Sequence, residues 1–292
     1  MSNPLDIQPA EGYILPMTMD RTTLPIGVFD SGVGGLTVLK ALRERLPNED
    51  FLYLGDTARL PYGTKSPRSI ARYALQCTQE LVERGVKMLV IACNTASSVA
   101  LPPLNEAYPD LVVVGVVRPG ASAGCLATRT KRIAVLATEG TVRGGAYQDA
   151  IRELCPEMRI TSLACPLFVA LAEEGWTEGP IVEGVAARYL DPLFAELPEN
   201  RPDVIVLGCT HFPVLAKAIA HVAGPGVAII DSAATTAQEV VECLEDDGLR
   251  HPRNGAGSVQ FLATDDPGRF ARVAGIFLGY DLTPGDVTII DL

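Results

Sequence analysis

Short apolar runs alternate along this chain with longer stretches whose apolar residues recur at helical spacing. The runs fall at residues 25–30, 51–56, 88–93, 111–117, 132–138, 160–165, 204–209, 227–232 and 258–263. Most carry β-branched residues without polar alternation, the pattern of strands buried on both faces of a parallel sheet. Between them the spacing predicts helices over 36–46, from Ser66-Pro67 to Gly85, within the stretch ending at 154, over 181–197, from about Pro213, over 235–246 with Thr236 or a neighbour as cap, and over 267–278. In the second of these, Ile70, Ala74, Cys77 and Leu81 keep one face, proline stands at the first helical position, and glycine closes the end. Residues 58–63 and 251–257 read as loops, and 1–24 as an unpatterned, partly disordered extension.

Alternation of strand and helix implies right-handed crossovers and parallel sheets. The order begins again near Arg132. The expected fold class is therefore α/β, with two similar doubly wound parallel-sheet lobes and the active site in the cleft between them. The expected division is 1–24 as extension, 25–117 plus about 232–292 as the first lobe, and 118–231 as the second. Sites in open parallel sheets form beyond the C-terminal strand ends, where Asp30, Asp56, Cys93, Thr138 and Cys209 all stand.

Composition narrows the function classes. The chain has 292 residues, 48% of them hydrophobic, which excludes general disorder. A formal charge of −11 argues against nucleic acid. A small acidic substrate stays open, because backbone N–H groups bind carboxylates without net positive charge. The apolar runs are far too short to span a membrane, and the acidic start of the chain is no secretory signal. Seven cysteines without a CxxC pair speak against a disulfide framework or zinc ribbon and suit a reducing cytoplasm. Cys77, Cys125, Cys155, Cys165 and Cys243 read as small buried hydrophobes.

Cys93 and Cys209 differ from these five. Each ends an apolar run and precedes hydroxyl-bearing residues, in Ile-Ala-Cys93-Asn-Thr-Ala-Ser and Leu-Gly-Cys209-Thr-His-Phe-Pro. A strand-to-helix turn offers free N–H groups and the positive end of a helix dipole, both of which favour a thiolate. Two thiols on opposite walls of one cleft suit removal of a proton from one face of a carbon and delivery to the other, which is racemisation or epimerisation. Ser31-Gly-Val-Gly-Gly35 is neither GxGxxG nor a Walker A loop, so tightly turned backbone near a small ligand is a better reading than a nucleotide site. His211 has three readings, a zinc ligand, a structural residue, or a general acid beside Cys209; the last is preferred. Asp30 and Asp56 are either helix caps or groups at the chemistry. Neither Lys65 nor Lys131 sits in an apolar run fit for a pyridoxal-phosphate Schiff base, so no cofactor is expected.

Four segments in order, Gly27-Val-Phe-Asp30-Ser31-Gly-Val-Gly-Gly-Leu-Thr, Leu54-Gly-Asp56-Thr-Ala-Arg-Leu-Pro-Tyr62-Gly63, Ala92-Cys93-Asn94-Thr95-Ala-Ser and Gly208-Cys209-Thr210-His211-Phe-Pro, resemble the signature segments of the glutamate racemase family. The resemblance runs from about Pro25 to the region of Leu278. It implies cofactor- and metal-independent interconversion of L- and D-glutamate in the cytoplasm, supplying D-glutamate for peptidoglycan, often by a homodimer. It also implies Cys93 and Cys209 as the two acid/bases, acting on D- and L-glutamate respectively, with Asp30 and His211 assisting. Asp30-Ser31, Tyr62-Gly63, Asn94-Thr95 and Thr210-His211 would contact the substrate, and Asp56, Thr138 and Glu173 would be auxiliary. Arg118 and Ala170 depart from the usual pattern near the expected lobe junction. An aspartate or other two-cysteine racemase, or a two-lobed binding protein, is the alternative. Positioned acid/bases supply about 10²–10⁴-fold in rate, so donors that meet charge growing on the substrate carboxylate must supply the rest. The N–H groups after each cysteine and the hydroxyls of Ser31, Thr95 and Thr210 are the candidates.

Overall fold

A computed structural model describes residues 20–292. The expected extension at 1–24 lies mostly outside them. Residues 21–23 form a 3-10 turn tied to the start of a strand, where the Lys87 ammonium donates to Thr22 O at 2.7 Å. The strands are β1 (Ile26–Asp30), β2 (Phe51–Gly55), β3 (Met88–Ile91), β4 (Val112–Gly115), β5 (Arg132–Ala137), β6 (Arg159–Ala164), β7 (Val204–Gly208), β8 (Ala228–Asp231), β9 (Val259–Ala263) and β10 (Val287–Ile289). The helices are α1 (Leu36–Arg45), α2 (Pro67–Glu83), α3 (Asn94–Ala107), α4 (Val117–Ala127), α5 (Glu139–Gly144), α6 (Ala146–Leu154), α7 (Pro166–Glu173), α8 (Pro180–Phe194), α9 (Ala216–Ala223), α10 (Ser232–Asp246) and α11 (Pro267–Leu278).

Two parallel sheets result, one ordered β10-β9-β2-β1-β3-β4 and the other β6-β5-β7-β8. β1, β2, β3 and β7 are buried along their whole length, which is why their sequences lack polar alternation. Helices cover both faces. α1, α10 and α11 pack on one face of the larger sheet and α2 and α3 on the other; α7, α8 and α9 cover one face of the smaller sheet, and α4 and α6 the other.

Strand order locates the site. From β1 the chain steps to β2 on one side and β3 on the other; from β5 it steps to β6 and then to β7 on the far side. Each reversal leaves a crevice at the C-terminal strand ends. In the first sheet that crevice lies between Asp30 and the Cys93 turn, in the second between Thr138 and the Cys209 turn.

Several expectations need correction. The run at 111–117 is β4 plus the first residue of α4, a helix that Pro119, Gly120 and Gly124 hide in the sequence. Its small residues serve close packing: a Cβ on Gly124 would stand 2.9 Å from Val206. The helix ending at 154 is two, broken at Gly145, whose φ of +74 suits glycine. Helix α10 begins at Ser232, capped by Asp231 rather than Thr236. Helices α7 and α9 start at Pro166 and Ala216; the 212–215 stretch before α9 is a 3-10 turn. The 58–63 loop contains 3-10 turns at Thr57–Arg59 and Tyr62–Thr64, and β10 was not foreseen.

Candidate active site

Both crevices open on one cavity of about 360 Å³, a size suited to a small ligand. Ser31, Tyr62, Gly63, Cys93, Asn94 and Thr95 line it from the first sheet; Thr138, Glu173, Cys209, Thr210 and His211 line it from the second. Among the described residues no lysine or arginine lines it. Asp30 and Asp56 do not reach its wall.

Strand β3 hands its register to Cys93, which caps α3. Its Sγ accepts from Ala96 N at 3.4 Å and lies 3.5 Å from Ser31 Oγ. Burial pushes this thiol up to about 12, and the Asp30 charge adds to it; the Ser31 hydroxyl and Ala96 N–H only partly oppose. The expected thiolate preference at a helix N-terminus is therefore overturned for Cys93, because desolvation outweighs the dipole. Asp30 is fully buried. Its Oδ2 accepts from Gly32 N at 2.8 Å, and Oδ1 has no partner among the described residues. Burial raises its pKa, with His211 and loop N–H groups opposing.

The second thiol has different company. Residues 209–211 lead into a 3-10 turn, so Cys209 does not cap an α-helix. Instead His211 Nδ1 lies 3.8 Å from its Sγ, and His211 Nε2 lies 3.1 Å from Glu173 Oε1 at the end of α7. The other Glu173 oxygen accepts from Arg269 Nη2 at 2.9 Å. Burial pulls the imidazole pKa down, but the bonds to Cys209 and Glu173 outweigh it and raise it to about 10. Burial likewise raises the Glu173 carboxyl, and His211 with Arg269 outweighs that, holding it below its ordinary value. His211 should accordingly stay imidazolium through neutral pH. Side-chain ¹⁵N shifts of the free protein should titrate near pH 10; a midpoint below 7 would show that burial prevails.

Polar contacts join the two sheets around the cavity. Thr95 Oγ1 lies 3.0 Å from Thr138 Oγ1 and 3.1 Å from Thr141 Oγ1. The Tyr147 hydroxyl, fully buried on α6, donates to Asn94 Oδ1 at 2.7 Å, while Asn94 Nδ2 is buried without a partner among the described residues. Thr37 Oγ1 donates to Thr210 O at 3.0 Å. Gly63 stands against Thr138, where a Cβ would come within 2.9 Å.

Asp56 works at one remove. Its carboxylate accepts from the Tyr62 hydroxyl, from Arg59 Nε at 2.7 Å and from Thr264 Oγ1 at 3.0 Å. Tyr147, Thr141, Thr264 and Arg269 were not foreseen. No local pattern marks the first three, since each matters only through a distant partner; the one local signal at Arg269 is a cation in the first turn of a helix. Of the two departures, Ala170 lines the cavity, whereas Arg118 is exposed and pairs with Glu153 at 3.0 Å.

Known proteins carry the same plan. The family profile described as Asp/Glu/hydantoin racemase matches residues 26–240. A glutamate racemase of Geobacter metallireducens is 47% identical over 267 residues, covering 91% of this chain and 96% of its own. The crystal structure of glutamate racemase from Thermus thermophilus, in complex with β-chloro-D-alanine, superposes with a TM-score of 0.82 at 45% identity, covering 93% of this chain and 98% of that one. That of Francisella tularensis, in complex with D-glutamate, gives 0.84 at 35% identity, with 92% and 98% covered. The chain belongs to the Asp/Glu/hydantoin racemase family.

Proposed function

We propose that this chain is a glutamate racemase that moves the α-proton between two thiols. The observation that carries the reading is that Cys93 and Cys209, one at the switch point of each sheet, line a single cavity. They are near enough that charge on Cys209 raises Cys93.

Glutamate lies with Cα between the two sulfurs. One thiolate takes the α-proton, and the other cysteine, as thiol, returns a proton to the opposite face. No net proton or electron is gained. Asp30, its proton affinity raised by burial, faces Cys93 and accepts the thiol proton so that Cys93 can act on D-glutamate. His211 exchanges protons with Cys209, which acts on L-glutamate, and Glu173 orients and charges the imidazole.

Neutral donors bind the two substrate carboxylates. The first N–H groups of α3 have no intrahelical partners, and the Asn94 amide, with the Ser31, Thr95 and Thr210 hydroxyls, adds side-chain donors. Such donors stabilise the enediolate charge in a site shielded from water. Tyr62 and Gly63 close one side, held by Asp56 and abutting Thr138.

Tyr147 fixes which end of the Asn94 amide faces the ligand. Tyr147→Phe should raise KM for glutamate about two- to tenfold, the equivalent of one hydrogen bond, with a smaller change in kcat. An unchanged KM would remove Asn94 Nδ2 from substrate binding.

Residues 25–117 with 232–292 form the first lobe in this reading and 118–231 the second, as sheet membership and the packing of α10 beside α1 support. The protein works in the cytoplasm, where thiols stay reduced, and as a homodimer, which sedimentation equilibrium tests. Among the described residues no helix is long and apolar enough to cross a membrane. The activity test is polarimetry of L-glutamate and L-aspartate with dialysed, chelator-treated protein. Glutamate rotation should fall to zero. Faster loss with aspartate, or activity restored only by a metal or pyridoxal phosphate, would overturn the reading.

A further inference from the structure

We propose that Arg269 is a positioning residue for the Cys209 half of the reaction, acting across the lobe boundary through Glu173 and His211. The inference rests on the racemase reading above. It starts from a local anomaly. Arg269 stands in the first turn of α11, where a cation opposes the helix dipole. Its own N–H is taken by the cap Asp266 at 2.8 Å, so the turn is well made around an unfavourable charge. Such a violation of a local rule marks a residue kept for a contact elsewhere.

The contact is specific. Arg269 Nη2 donates to Glu173 Oε2 at 2.9 Å, and Glu173 Oε1 meets His211 Nε2 at 3.1 Å. One carboxylate thus bridges a cation of the first lobe and an imidazole of the second. With one oxygen held by Arg269, the other cannot rotate away from the ring, and the ring keeps Nδ1 towards the Cys209 sulfur at 3.8 Å. Among the described residues no comparable chain touches Cys93, whose partners are Ser31, Ala96 N–H and the Asp30 charge.

The start of α11 is anchored to the segment that follows β2. Asp56 accepts from Thr264 Oγ1 at 3.0 Å, Thr57 Oγ1 donates to Asp265 O at 2.6 Å, and Thr264 Oγ1 accepts from Ala58 N at 2.9 Å. The same Asp56 carboxylate holds Tyr62 in the cavity wall. Asp56 therefore fixes both the Tyr62 wall and, through Thr264, the helix start that carries Arg269.

This arrangement predicts an asymmetry between enantiomers. Overall racemisation cannot display it fully, because the equilibrium constant between enantiomers is unity and kcat/KM must change equally in both directions. Elimination from a β-chloroglutamate can, since only one deprotonation precedes loss of chloride and the proton ends on the attacking thiolate. The analogue with L configuration at Cα requires Cys209 and the D analogue requires Cys93. In Arg269→Gln, chloride release from the L analogue should fall about fivefold, equivalent to about 1 kcal/mol, the upper range for a half-exposed ion pair. Release from the D analogue should stay within about twofold.

Arg269→Lys, which keeps the charge, should recover most of the loss. The acid limb of L-analogue elimination should also move to higher pH in Arg269→Gln, because Glu173 loses one of the two groups that favour its carboxylate. The charged groups facing that site are His211 and Arg269 around Glu173, and Cys209 and Asp30 around His211.

Equal losses with both analogues, or no loss and no movement of the acid limb, would overturn the proposal. If Arg269→Gln does not fold, Arg269→Met, which keeps the aliphatic stem and removes the charge, carries the same test with the same expected losses, about fivefold for the L analogue and under about twofold for the D analogue. Parent protein that eliminates from neither analogue and does not racemise glutamate would refute the racemase reading itself, a separate outcome.

Discussion

Alanine at Cys93 or at Cys209 should lower glutamate racemisation by at least about 10³-fold, within the span a positioned acid or base supplies. In the proposed mechanism each direction needs one thiolate to remove the α-proton and one thiol to replace it on the other face, so neither variant should complete a turnover. Each should nevertheless retain one half of the chemistry. With β-chloroglutamate, Cys209→Ala should release chloride only from the analogue with D configuration at Cα, and Cys93→Ala only from the L analogue. The split follows from the two cysteines standing at the switch points of different sheets, with different partners: a buried carboxylate for Cys93, an imidazole for Cys209. Elimination from the same enantiomer by both variants, or racemisation near the parent rate by either, would refute the two-base mechanism. Alkylation offers a second view. The Cys93 thiol, pushed up to about 12 by burial, should react slowly with iodoacetamide in the free protein at neutral pH. Rapid labelling there would mean that the helix N-terminus, not desolvation, governs it.

The apolar runs ending in Asp30, Cys93, Thr138 and Cys209 could be read directly, because a strand buried on both faces leaves a continuous apolar signal. Strand ends then pointed to the site, as the chemistry of parallel sheets requires. Helices α4 and α7 were less legible. Their prolines and small residues read as breakers in isolation, yet Gly124 lies close against Val206, and Pro166 starts α7 where its missing N–H costs nothing. What the sequence concealed most was the chain of partners. Glu173, named as auxiliary only through the resemblance, meets His211 because α7 brings it there, and its other partner Arg269 lies 96 positions further along. Tyr147 and Asn94 are likewise joined only by the meeting of two lobes. Burial also defeated a local rule: the helix N-terminus suggested a reactive thiolate at Cys93, and enclosure reversed the sign.

Replacing Gly34 with alanine should lower kcat by about 10²-fold, the scale of an ångström-sized misplacement of a catalytic group, while leaving the fold intact. The glycine-rich loop after β1 suggested backbone approaching a ligand. At Gly34 the close approach is instead to the opposite lobe. A Cβ there would stand 2.5 Å from His211 Cε1 and 2.6 Å from Thr210 Oγ1, and would also collide with His211 Nδ1, the atom that faces Cys209. Neither neighbour can easily retreat. The imidazole is held by Glu173 at its far nitrogen and edge-on against Phe277 at 5.3 Å between centroids. Thr210 is held through its carbonyl by the Thr37 hydroxyl, whose single proton is shared with Gly34 O at the same 3.0 Å. The added methyl must therefore break the thiol–imidazole contact or part the lobes, and either outcome removes His211 from Cys209. Stability should change far less, because the collision lies at the lobe boundary and not inside either apolar core. Gly32→Ala supplies the comparison within the same loop: among the described residues its Cβ would meet only Leu60, at 3.4 Å, an ordinary contact, so its loss should be much smaller. The L β-chloro analogue should suffer more than the D analogue in Gly34→Ala, since in the proposed mechanism the displaced imidazole serves Cys209. A Gly34→Ala protein with near-parental kcat and an unmoved His211 titration would show that the loop yields more readily than this packing allows.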